Sequence, residues 1–155
     1  MSDTWRAMTE DDVRALMAGP EDAAYREGLL ISGQADPLVA ILSQVTLQVR
    51  NAIRSCPKNR LHADASFIPE GAVYHAAAIA RYRLLGRFAI GEQDQPGDAR
   101  TTEYREALKW LDLVRSCKEL IEAPDGDGTE TAQSTIEVGS DVPVRKWTRK
   151  QQSGL

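Results

Sequence analysis

Histidine and cysteine are nearly missing from this chain, with two of each in 155 residues: His62, His75, Cys56 and Cys117. A bound transition metal needs more such ligands at short spacing, and without a CxxC pair no metal site is expected. GxSxG, HExxH, GxGxxG and the phosphate-binding P-loop are absent as well, so no cofactor is expected and the chain reads as a non-enzyme. No apolar run approaches the roughly 18 to 20 residues of a membrane span. The opening Met1-Ser2-Asp3-Thr4-Trp5-Arg6 lacks the charged-then-apolar layout of a signal peptide. A protein made and used in cytoplasm is the expectation, and there Cys56 and Cys117 read as reduced thiols packed near helix ends. An excess of positive charge is missing too: the formal net charge is −4, which argues against free DNA as the main ligand.

What remains is helical pattern. The length suits one domain with a real core. Thr9-Glu10-Asp11-Asp12 is a capping-box variant, followed by a stripe of Val13, Leu16 and Met17, with Gly19-Pro20 expected to stop that short helix. A second short helix is predicted over 21–30. Asp36-Pro37 then opens a long helix whose Leu38, Ile41, Leu42, Val45, Val49, Ala52 and Ile53 recur every three or four residues until Pro57. A loop-like connector runs to Pro69, its end pinned by Phe67 and Ile68. Pro69-Glu70-Gly71 starts an alanine-rich central helix over 72–85, with Gly86 as its cap, and Gly91 to Gly97 is a polar loop. A last helix is predicted from about Thr101 through Glu122, carried by Tyr104, Ala107, Leu108, Leu111, Val114, Leu120 and Ile121.

The fold class is therefore all-α, a small bundle of three longer helices and one or two short ones with an extended C-terminal arm. Composition divides it into a helical domain over 1–123, a flexible linker over 124–134 and the arm over 135–155. The linker carries no large apolar side chain and cannot offset its own ordering entropy. In the arm, Thr135-Ile136-Glu137-Val138 alternates as a single strand does, and a lone strand needs a partner, so it can form on assembly.

Candidate chemistry is sparse. His75 could be a base or a packed, hydrogen-bonded core residue, and the second reading is preferred. Glu103, Glu106, Asp112, Glu119 and Glu122 alternate with Arg105, Lys109, Arg115 and Lys118, the mixture of a solvated helix face. Arg81, Arg83 and Arg87 suit either an acidic partner or the helix C-terminal dipole, and are the candidate contacts between subunits. The arm carries the sharper signal. Ile136, Val138, Val142, Val144, Trp147 and Leu155 are costly to leave in water, and with Arg145 and Arg149 they form a candidate binding segment that acts on another chain.

The runs Ala76-Ala77-Ala78-Ile79-Ala80-Arg81-Tyr82-Arg83-Leu84, Arg100 to Tyr104, and Tyr104-Arg105-Glu106-Ala107-Leu108-Lys109-Trp110-Leu111 resemble the Mu-like phage neck proteins, related to the head-tail connector (adaptor or head-completion) proteins of tailed phages. The order of parts is similar along nearly the whole chain, as is the ending from Pro143 to Leu155. The N-terminal opening and the stretch from Pro57 to Ile68 depart from that pattern. The resemblance implies a homo-oligomeric ring, commonly of twelve subunits, docked under the portal protein at the virion neck and assembled in the host cytoplasm. It also implies that DNA passes through without sequence-specific binding, that a stopper or tail terminator binds on the tail side, and that the arm embraces the portal. A helical regulatory or DNA-binding protein is the alternative. It would need a recognition helix with basic residues aimed one way, and the central helix is too apolar for that.

Overall fold

The computed structural model describes residues 4–33, 35–88, 98–125 and 129–131. In chain order these form β1 (Trp5–Ala7), α1 (Glu10–Arg14), α2 (Gly19–Ser32), α3 (Leu38–Ser55), β2 (Arg60–His62), β3 (Phe67–Pro69), α4 (Glu70–Arg87), α5 (Ala99–Arg115) and β4 (Thr129–Thr131). Helices make the body, as the sequence predicts. Two short antiparallel ladders accompany them, β1 with β3 and β2 with β4.

Capping chemistry sets the helix starts. The Asp12 carboxylate accepts from the Thr9 N–H at 2.7 Å and from the Thr9 hydroxyl at 3.0 Å, which fixes the entry to α1. Gly19-Pro20 does not stop that helix but opens α2, because a proline in the first turn sacrifices no helical hydrogen bond; Glu21 accepts there from the Ala18 N–H at 3.1 Å. Asp36 Oδ1 accepts from the Leu38 N–H at 2.8 Å and from the Tyr25 hydroxyl at 2.5 Å, so one carboxylate both caps α3 and holds it to α2.

The core lies where α4 meets α1, α3 and α5. Leu38, Ile41, Val45, Val49, Ala52 and Ile53 of α3 are buried against it, and each large side chain so buried contributes roughly 1.5–3 kcal/mol. Ala72, Ala76, Ala77, Ala78 and Ala80 are buried on several sides of α4, and their small size lets its neighbours approach closely. That is the central helix the alanine run predicts.

Helix ends depart from the sequence reading. Gly86 lies inside the last turn of α4 and does not cap it. The last helix stops at Arg115 rather than continuing through Glu122. Cys117 takes a left-handed conformation at φ 57°, its N–H donating to the Val114 carbonyl at 3.1 Å while the Lys118 N–H donates to the Leu113 carbonyl at 2.9 Å. Leu120 is consequently exposed.

The reading of two reduced thiols is also corrected, because Cys56 and Cys117 form a disulfide. They sit just past the C-terminal ends of α3 and α5, with Cα atoms 5.3 Å apart, a proximity that sequence separation conceals.

The connector over 57–69 is not simply a loop. It holds β2 and β3, with Leu61 and Ile68 fully buried and Phe67 partly so. Within the stretch read as a linker, Thr129–Thr131 pairs with β2, Thr131 opposite Arg60 and Thr129 opposite His62. β-Branched threonines favour such extended backbone. The polar loop over 91–97 and the alternating segment over 135–138 lie outside the described residues.

Candidate interaction surface

The candidate binding residues of the arm, Ile136, Val138, Val142, Val144, Arg145, Trp147, Arg149 and Leu155, lie outside the described residues. The segment leading toward them is held at several points. Trp5 Nε1 donates to the Glu122 carbonyl at 3.1 Å, the Ile121 N–H donates to Asn59 Oδ1 at 3.0 Å, and the disulfide fixes Cys117. With the β2–β4 ladder, these contacts hold Cys117, Ile121, Glu122 and Thr129–Thr131 to β1 and to the region where α3 gives way to β2.

The three arginines of α4 have separate fates. Arg81 is only 6% exposed; its Nε and Nη2 donate to Glu21 at 3.2 and 2.8 Å and its Nη1 to Glu103 at 2.8 Å. It ties α2, α4 and α5 together within its own chain. Arg100 adds a second cation beside Glu21, at 3.5 Å. Arg83 donates to Gln48 Oε1 at 2.6 Å, and Arg87 is exposed.

A groove of about 580 Å³ opens between α3 and the 62–67 turn, lined by Ala7, Met8, Leu42, Ser43, Thr46, Leu47, Arg50, Arg54, Ala63, Ala65 and Ser66. Arg50 builds one wall of it. Though 5% exposed, Arg50 donates to the carbonyls of His62, Asp64 and Phe67 at 2.8 to 2.9 Å and so shapes the turn. Elsewhere, Leu30 and Ile31 on the last turns of α2 and Val39 on the first turn of α3 stand exposed.

His75 is a packed residue. Its ring stacks on Trp110 with centroids 4.7 Å apart, and burial lowers its pKa against the pull of Glu119 and Glu106. Its Nδ1 is buried without a hydrogen-bond partner, so the hydrogen bond expected of it is not made through that atom. Tyr82 and Tyr104 stack at 4.0 Å, joining α4 to α5. Trp110 Nε1 donates to Glu119 at 2.7 Å, so exposed Glu119 and half-buried Glu103 each also anchor a neighbouring side chain. Hydrogen bonding to Arg6 draws the Asp12 carboxyl down to about 2, whereas burial pushes the Tyr25 hydroxyl upward.

Arg50 and Trp110 are the residues that sequence reading missed. An arginine interrupting the stripe of α3 between Val49 and Ala52 was the available signal, since a charge at such a position is kept only when it is satisfied. Among the described residues no helix is long and apolar enough to cross a membrane, and no group of His, Cys, Asp and Glu could hold a metal ion.

No curated protein and no solved structure matches the chain. A family model does, the one described as Bacteriophage Mu, Gp36, and it spans residues 7–140, from the first ladder through the helical body and past β4. The chain is thus a phage protein and belongs to the Bacteriophage Mu Gp36 family.

Proposed function

We propose that this chain is a structural, non-catalytic subunit of the phage head-tail connector, forming a ring that docks under the portal and carries DNA toward the tail. The observation that carries the reading is the family match over residues 7–140, joined to the sequence likeness with neck proteins. The architecture supports it: a rigid helical body bears a pinned segment from which a chain rich in exposed-type apolar and basic residues continues. In this reading the arm, through Ile136, Val138, Val142, Val144, Arg145, Trp147, Arg149 and Leu155, binds the portal protein.

Other copies of the chain complete the ring, twelve being the expected number, with Arg81, Arg83 and Arg87 marking the end of α4 that meets a neighbouring subunit, Arg83 and Arg87 being its more accessible cations. A stopper or tail terminator binds the tail side. DNA passes without sequence-specific contact, which a net charge of −4 suits because negative walls do not retain it. Ordering of the arm on the portal keeps free subunits apart until that template is present.

Cryo-electron microscopy of the particle neck, or of purified portal mixed with this protein, tests the reading. A ring of helical bundles below the portal with arms running onto it is expected. A particle lacking the protein would overturn the reading, and a stable ring formed by the purified protein alone would overturn the proposed order of assembly.

A further inference from the structure

The Cys56–Cys117 disulfide joins the ends of α3 and α5 at the point where the chain leaves the bundle toward the arm. Cys56 is fully buried and Cys117 is partly exposed. Cys117 holds a left-handed backbone, unfavourable for a residue with a side chain, immediately before the exposed run Lys118, Glu119 and Leu120. A covalent bond on that residue therefore holds in place a turn that its own backbone preference opposes. The chain is a phage protein, and phage proteins are made in cytoplasm that keeps thiols reduced, whereas disulfides persist on particles outside the cell.

We propose that Cys56 and Cys117 form a reversible redox lock on the root of the C-terminal arm, open as a dithiol where the chain is made and closed once a small disulfide oxidant such as oxidised glutathione is met. The partly exposed Cys117 thiolate attacks one sulfur of the oxidant, forming a mixed disulfide and expelling one glutathione thiolate. The Cys56 thiolate then attacks Cys117 Sγ and expels the second. Two protein thiols become one disulfide, the two protons they give up pass to the two expelled glutathione thiolates, and one oxidised glutathione becomes two reduced molecules. In the open state the segment from 117 onward keeps its bonds to Trp5 and Asn59 and its ladder with β2, but loses its covalent hold.

The test uses the full chain equilibrated in glutathione buffers, with thiols counted by alkylation and mass spectrometry and cleavage after Lys118 followed with trypsin. About tenfold faster cleavage is expected for the reduced protein than for the oxidised one, since local opening sets the rate. The double variant Cys56→Ser, Cys117→Ser, checked for helical content by circular dichroism, should cleave at the reduced rate in both buffers. Equal cleavage of reduced and oxidised wild type would overturn the lock, and so would thiols that remain free after exposure to oxidised glutathione. Comparison of the two wild-type states stands even if the variant does not fold.

Discussion

Arg50 carries a full charge at 5% exposure, and three backbone carbonyls of the 62–67 turn answer that cost. Replacing it removes the donors and leaves those carbonyls in a partly buried site, so Arg50→Met should destabilise the fold by about 2–4 kcal/mol in urea titration. Arg50→Lys should recover little, because a compact ammonium cannot span carbonyls that a planar guanidinium reaches together. His75 makes a separate prediction through pH. Burial disfavours its charged form, so the unfolded chain takes the proton first as pH falls. Its contribution is complete above its ordinary value of 6.5 and declines below it. His75→Phe keeps a ring against Trp110 and removes the titration. Between about pH 7 and pH 5 its unfolding free energy should therefore fall less than that of the wild type, measured by denaturant titration at each pH; parallel pH profiles would sink the assignment.

At the scale of elements, two helical glycines separate propensity from packing. A Cβ on Gly71 meets nothing within 4 Å, so Gly71→Ala in the first turn of α4 should stabilise by about 0.5–1 kcal/mol. On Gly28 of α2 the same atom would lie 2.9 Å from Phe88 Cδ1, and Phe88 rests edge-on against Tyr25 at 5.5 Å. There the helical gain is offset by displacing a packed ring, and Gly28→Ala should lower the melting temperature while Gly71→Ala raises it. These contrasts mirror what was legible in the sequence. Helix starts are local chemistry, and Thr9, Asp12, Asp36 and Pro37 announced them; the alanines of α4 likewise announced a central helix. Helix ends and strands depend on distant partners. Nothing near Cys117 revealed that Cys56 would hold it, three-residue strands are too short to show alternation, and Arg81 read as a surface cation because Glu21 and Glu103 approach it only in the fold.

For the whole molecule, composition divides a helical body from a C-terminal arm. The disulfide, the bonds of Trp5 and Asn59, and the β2–β4 ladder lie within residues 5–131, whereas the portal-binding residues expected from the sequence lie within 136–155. Because the core cluster is built from residues between Trp5 and Ile121, a variant lacking 132–155 should keep the helical circular dichroism of the full chain and melt within a few degrees of it, roughly the shift that a change below 1 kcal/mol produces. On the connector reading it should fail to bind purified portal. The energetics also say how binding should depend on number. Burying a large apolar side chain of the arm contributes roughly 1.5–3 kcal/mol, but ordering each residue costs about 1–2 kcal/mol, so one arm binds weakly. A ring adds arms whose later contacts are intramolecular, and avidity then rises by orders of magnitude without a new contact. Portal binding should accordingly fall more steeply than in proportion when truncated and full chains are mixed, a dependence that sedimentation against labelled portal would read. Undiminished binding by the truncated chain would instead place the portal contact on the helical body.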